Sequence, residues 1–230
     1  MVLYMELKKH WLKEYSEKGI PSSFRQEPSG AVTYFFDFLK KQGIRKGRLL
    51  DVGCGKGRNS IFFAKNGWEV YSIDFVPEII NELNNSSKKN NLKLTAICQS
   101  ATEKLPFPDN HFDAVIDIFC YKHQTDKKKQ KKFRNELYRI LKKNGLYLLS
   151  LAGEDDGFYG PLLKNSTDKK NKLIVDPVTK VPSFLYTKED IEKEFDNFKI
   201  IDFQHKKKVG KMHGREYERS TLIFIMRKRG

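Results

Sequence analysis

Three glycines at alternate positions, Asp51-Val52-Gly53-Cys54-Gly55-Lys56-Gly57, follow the apolar pair Leu49-Leu50 and precede the helical spacing of Ile61, Phe62 and Ala64. The pattern reads as a strand, a glycine-rich turn and the first turn of a helix. Glycine admits positive φ and lets a ligand approach backbone that a side chain would otherwise shield. The free N–H groups opening the next helix favour negative or electron-rich ligand groups. Seventeen positions beyond Gly57 the run Trp68-Glu69-Val70-Tyr71-Ser72-Ile73 ends in Asp74, with Phe75 beside it. A carboxylate at the tip of a second strand, at that separation, suits ribose hydroxyls. The chemistry implied is the holding of a nucleotide-like cofactor.

Two well-known nucleotide turns are excluded. The dinucleotide fingerprint needs glycine where Arg58 stands, and the phosphate-binding loop needs Ser or Thr after its lysine where Gly57 follows Lys56. Asp51-x-Gly53-x-Gly55-x-Gly57 resembles instead the first motif of the class I S-adenosylmethionine-dependent methyltransferases. The segment 99–113 resembles the same family, with Ser100 standing where an acid usually meets the adenine amino group. Leu141-Lys142-Lys143-Asn144-Gly145 is similar to the family's L-K-P-G-G turn, without the proline and one glycine. Gly57-Arg58-Asn59-Ser60, with the His- and Arg-bearing turn before the last strand, looks like the tellurite-resistance and related small-molecule methyltransferases.

The resemblance implies S-adenosyl-L-methionine as cofactor and transfer of its methyl group to a nucleophile by in-line displacement. It implies that Gly53, Cys54, Gly55 and Gly57 lie against the cofactor, with Asp51 as supporting acid. Asp74 would hold the ribose, Phe75 would stand beside it, and Ser100 and Ala101 would flank the adenine. Arg25 and Asp117 are candidates for the methionine half. Asp117, at the carboxyl end of the apolar run 114–120, either faces that half or caps the next turn. Asp117, His123 and Tyr159 form the candidate catalytic set, and His213 is a further candidate base. Residues 117–123 hold no [N/D]-P-P-[Y/F], which argues against N6-adenine methylation. No metal site is expected, because the three cysteines have no ligand-like spacing.

The elements needed to position these residues follow in order. Tyr4, Leu7, Trp11, Leu12 and Tyr15 predict an amphipathic helix over 4–18, and Val32, Phe35, Phe36 and Leu39 predict another over 29–41. Together, residues 1–46 form an expected helical lid, in which Tyr15, Ser23, Phe24 and Arg25 are candidates to face the ligand. Residues 47–151 form the expected cofactor-binding half, with strands ending at Asp74, Cys98 and Cys120 and a fifth over 146–151. The stretch 152–186 lacks periodicity and reads as an insertion able to cap an acceptor pocket through Phe158, Tyr159, Phe184 and Tyr186. Residues 187–230 supply a closing helix, a strand over 198–203 and a last strand over 217–226. The fold class expected is α/β: one doubly wound, mostly parallel, seven-stranded Rossmann-like sheet ending in an antiparallel hairpin.

Composition bounds the partners. The chain has 230 residues, 32% charged and 39% hydrophobic, which fits one folded domain. No apolar run reaches a membrane span, and the charged N-terminus does not read as a signal peptide; a cytoplasmic protein with free, mostly buried thiols is expected. Net charge is +15, yet 34 lysines outnumber 10 arginines, so the charge does not favour the residue that grips phosphate bidentately. A small, anionic or soft methyl acceptor is therefore the first expectation, in a monomer or homodimer. An RNA- or protein-directed enzyme using the lysines at 127–132 and 206–211 is the second, and a non-catalytic cofactor-binding module the third.

Overall fold

The computed structural model describes residues 2–17, 25–166 and 169–229, with side chains from residue 6 onward. Seven strands form one sheet in the order β3-β2-β1-β4-β5-β9-β8. The first five are β1 (Arg48–Val52), β2 (Glu69–Asp74), β3 (Leu94–Cys98), β4 (Phe112–Ile118) and β5 (Leu141–Ala152), all parallel. β8 (Phe198–Met212) and β9 (Arg215–Lys228) complete the sheet as an antiparallel pair. The chain winds outward from β1 to β3, then returns to lay β4 on the other side of β1. That reversal opens a crevice at the carboxyl ends of β1 and β4, where open α/β sheets take their ligands.

Helices cover both faces, as a buried parallel sheet requires. On one face α2 (Gly30–Lys41), α3 (Arg58–Lys65) and α4 (Pro77–Lys89) bury Val32, Phe35, Leu39, Phe63 and Leu83 against Leu49, Ala114 and Leu148. Ser29 accepts from Val32 N and starts α2, while Pro77 opens α4 with its ring already set for helical φ. On the other face α5 (Lys127–Ile140) and α7 (Lys188–Glu194) bury Phe133, Leu137, Ile140 and Ile191 against Leu50, Val115, Tyr147 and Phe224. Asp126 caps α5 through Lys129 N, and Thr187 with Asp190 closes a capping box on α7. The N-terminal α1 (Val2–Glu17) lies across the crevice, with Tyr15 and Trp11 packed among Phe75, Val76 and Ile79.

Several boundaries differ from the sequence reading: β4 ends at Ile118 rather than Cys120, β9 runs over Arg215–Lys228 rather than 217–226, and three differences are larger. β5 begins at Leu141 rather than 146, because Leu141 pairs with Phe112 before a register shift that Asn144, at φ 63°, accommodates. The aperiodic stretch 152–186 contains α6 (Tyr159–Lys164) and a two-stranded ribbon of β6 (Leu173–Val175) and β7 (Pro182–Phe184). Elements of three to six residues are too short to print a period. β8 continues through the lysines to Met212 because β9 pairs with it throughout, for instance Lys207 with Ser220; pairing overrides composition there. Of the free cysteines, Cys54 is buried and Cys120 half-buried, but Cys98, at the open end of β3, is exposed. Among the described residues no helix is long and apolar enough to cross a membrane.

Candidate active site

The glycine turn is stitched to the end of β2. Gly53 and Cys54 both donate their amides to the carbonyl of Ile73, at 2.8 and 3.0 Å. One residue further, Asp74 Oδ2 accepts from Gly55 N at 3.0 Å and Oδ1 accepts from Val76 N at 3.1 Å. The strand-end acid and the central glycine are thus directly bonded. Burial raises the Asp74 pKa, while the amides of Gly55, Val76 and Phe75 hold the charge in place. Two of the glycines are obligatory on steric grounds. A Cβ on Gly53 (φ +67°) would stand 2.7 Å from Cys120, and one on Gly57 (φ +78°) would stand 2.3 Å from Leu83.

Behind the turn, Ser60 donates to Asp51 Oδ2 at 2.5 Å and Ser72 donates to Ser60 at 2.9 Å. This relay ties β1, α3 and β2 together beneath the crevice, and burial pushes the Asp51 carboxyl up to about 7. In front of the turn stands α1. A Cβ on Gly55 would lie 2.9 Å from the Tyr15 hydroxyl, and Lys56 Nζ donates to the Tyr15 carbonyl at 2.9 Å. Tyr15 therefore covers the floor that Gly55 and Asp74 make, with Phe75 packed beneath the same helix. Trp11 links this end to the next: its ring lies 5.8 Å from Tyr15 and 5.0 Å, edge-on, from His123.

The remaining candidates fall into distinct places. The backbone joins Gln99 to Asp74 by an N–H···O bond of 2.9 Å, which brings Ser100 and Ala101 to the same sheet end. Ser100 shares a 3.0 Å bond with Thr102, and Ala101 packs on the core. Asp117 accepts from Cys120 N and Tyr121 N and from the Tyr147 hydroxyl, so its oxygens cap the turn after β4. Of its two readings, capping is the geometry present; burial pushes this carboxyl up to about 7. Arg25 is exposed and near Arg58, whose pKa falls through burial and then through the charge of Arg25. Ser23 and Phe24 lie outside the described residues.

His123 and Tyr159 meet on the far side of Trp11. With Trp11, Asp176 and Ser183 they border a cavity of about 20 Å³, room for about one water. His123 Nδ1 lies 3.0 Å from both the Pro182 carbonyl and the Ser183 hydroxyl. Burial and then the charge of Lys122 drive its pKa down to about 3, so the imidazole is neutral. His213 is bound to Asp176 at 2.9 Å rather than facing the crevice.

Sequence reasoning missed the charged residues around Tyr159. Lys122, in the 3-10 turn Tyr121–His123, puts Nζ 3.9 Å from the Tyr159 ring centre. Asp156 accepts from the amides of Phe158, Tyr159 and Ser220 and from Arg219 Nε. These residues come from three separate stretches of chain, and no spacing announces them. The one available signal was a lysine set inside an otherwise apolar turn, Cys120-Tyr121-Lys122-His123. Among the described residues no group of three His, Cys, Asp or Glu is placed to hold a metal ion.

The architecture is that of the S-adenosylmethionine-dependent methyltransferases. A neighbour over 99% of this chain and 89% of its own, at a TM-score of 0.72 and 17% identity, is the Burkholderia thailandensis 1,6-didemethyltoxoflavin-N1-methyltransferase, solved with S-adenosylhomocysteine. TehB of Haemophilus influenzae shares the fold at a TM-score of 0.63 and 19% identity, over 87% of this chain and 62% of its own. Residues 49–145 match the family model of a methyltransferase domain. That match falls on the stretch carrying the glycine turn, Asp74 and Asp117. An uncharacterized methyltransferase of Bacillus subtilis, YcgJ, is 28% identical over 128 residues, 55% of this chain and 47% of that protein. The chain thus spans about half the length of the curated relatives it matches.

Proposed function

We propose that this protein transfers the methyl group of S-adenosylmethionine to a small-molecule nucleophile. The observation that carries the reading is the direct bond between Asp74 and the Gly55 amide at the sheet's reversal point. It sets a hydroxyl-binding acid against a glycine floor with no side chain of its own. The residues fit the cofactor: the Gly53–Gly57 backbone would take its methionine half and Asp74 its ribose. Ser100 and Ala101 would flank the adenine, and Arg25, exposed and near Arg58, would reach toward the methionine half. The cofactor, when bound, supplies an already activated methyl group. The chain's part is then to align the acceptor for in-line attack and keep water out.

Tyr15 must leave Gly55 before a ligand can reach that floor, so α1 acts as a door over the site. His123 and Tyr159 stand on the acceptor side of that door, while Asp117 fixes the turn that carries His123. The small acceptor named for the structural neighbour supports an enclosed rather than an open acceptor site. Isothermal calorimetry with S-adenosylhomocysteine tests the reading. Binding should weaken about tenfold to a hundredfold in Asp74→Ala, the range for a hydrogen bond to a charged group. Unchanged affinity in that variant would remove the ribose assignment, and no binding to the unaltered protein would remove the function.

A further inference from the structure

The cap holds a buried amine for which the cofactor reading has no use. Lys122 is 1% exposed. Its Nζ lies over two aromatic rings, 3.9 Å from the centre of Tyr159 and 5.7 Å from that of Phe119. The two acids facing it are committed elsewhere. Asp156, before α6, is taken by Arg219 of β9 and by backbone amides; Asp176, after β6, is taken by His213 of the β8–β9 turn and by Val178 N and Thr179 N. Among the described residues no carboxylate stands within ion-pairing distance of Lys122. An ammonium withdrawn from water without a partner costs several kcal/mol. Burial and then the charge of Arg219 pull its pKa down to about 7, against the pull of Asp156 and Asp176. The other titratable neighbours, Tyr159 on α6 and His123 beside it, are both neutral, so the amine itself can gain or lose the proton.

Its position ties it to the crevice. Cys120, two residues earlier, is the side chain on which Gly53 packs. Two residues of chain span at most about 7 Å, so Lys122 springs from the wall of the cofactor site. His123 and Tyr159 border the cavity that Trp11 of α1 closes, and Tyr15 of the same helix covers Gly55. Withdrawal of one helix opens both places together.

We propose that Lys122 is the general base of the acceptor chamber, and that the acceptor reacts through an acidic O–H or S–H group, as in a phenol, an enol or a thiol. This inference rests on the methyltransferase reading. The neutral amine takes the proton of the O–H or S–H group and becomes an ammonium. The oxygen or sulfur keeps the bonding electron pair, which it then donates to the methyl carbon supplied by the cofactor. The leaving electron pair goes to the cofactor's sulfur, and the ammonium returns its proton to water once α1 withdraws.

The test uses the full chain saturated with S-adenosylhomocysteine and a panel of simple phenols, thiols and primary amines, read first by equilibrium binding. Acidic members should bind, and Lys122→Met should weaken them at least about tenfold with S-adenosylhomocysteine affinity unchanged. Lys122→Arg keeps a charge that cannot be given up. It should retain binding of the acidic members within a few-fold while transfer from S-adenosylmethionine falls about a hundredfold or more. The unaltered protein's kcat/KM should rise with pH through about 7, and this limb should vanish in Lys122→Arg. The proposal is overturned if no acidic member binds, if only amines bind, or if Lys122→Met leaves binding intact. Failure of S-adenosylhomocysteine to bind the unaltered protein is a separate result and would bring down the methyltransferase reading itself.

Discussion

The two ends of the crevice are built by different means. At the proposed cofactor end the surface is backbone: three glycines, two amides on Ile73, and one acid locked to Gly55. At the proposed acceptor end it is side chain: His123, Tyr159 and Asp176 around the small cavity, with Lys122 against the Tyr159 ring, gathered from the β4 turn, α6 and the β6–β7 ribbon. A surface of backbone is specified by where side chains must be absent and tolerates almost nothing in their place. A surface of side chains is specified by long-range placement, and each member can be exchanged while the fold stands. The first suits a cofactor common to a family, the second an acceptor that one protein recognises.

The sharpest way to break this contrast is at Gly57. Gly57→Ala must place a Cβ onto Leu83 and hold positive φ; urea unfolding should show a loss of about 2–5 kcal/mol. Next comes the anchor of the cap. Asp156→Ala leaves Arg219 and three amides without their acceptor. It should cost about 2–4 kcal/mol and speed amide exchange across residues 153–160 and 218–220. Affinity for S-adenosylhomocysteine should hold. A parallel loss of that affinity would mean the two ends are one unit.

The third effect is a pH slope. Lys122 has a folded pKa of about 7 against an ordinary 10.5, so above pH 7 the unfolded chain binds more protons than the folded one. Stability should therefore rise with pH between about 7 and 10, by at most about 1.4 kcal/mol per unit. Lys122→Met should flatten that rise. The smallest effect is at the seam where the cap rejoins the body: Thr187→Ala removes the α7 capping box and should cost about 1 kcal/mol, read by thermal unfolding without change at either end of the crevice.

The same contrast explains what could be read from the residues alone. Gly53, Gly55, Gly57 and Asp74 were legible because strand, turn and helix are local and their spacing is fixed by backbone geometry. The seven strands followed from alternating strand and helix patterns, while their order and the closing hairpin came with the family resemblance. Tyr15 was legible as a candidate to face the crevice, though not as the side chain resting on Gly55, which depends on how α1 docks. Asp117 showed two readings in sequence, and its choice of Cys120 N and Tyr121 N was decided by the tightness of a turn. Lys122 showed only as a lysine in a short turn; its setting was illegible because nothing in its neighbours reveals Tyr159, 37 positions on, lying against it. The β6–β7 ribbon was invisible because three-residue strands carry no period.

The long outer strand gives the lysines a second meaning. Among the described residues β8 pairs with β9 on one side and with no strand on the other, so about every other residue of this fifteen-residue strand turns its backbone hydrogen-bonding groups outward. Lys206, Lys207, Lys208 and Lys211 stand exposed along it. Like charges set in such a row repel any second copy that tries to add its own strand, the usual beginning of fibrous self-association. Part of the chain's positive charge thus works as insulation against its own kind, and neutralising that row would turn a free margin into an adhesive one.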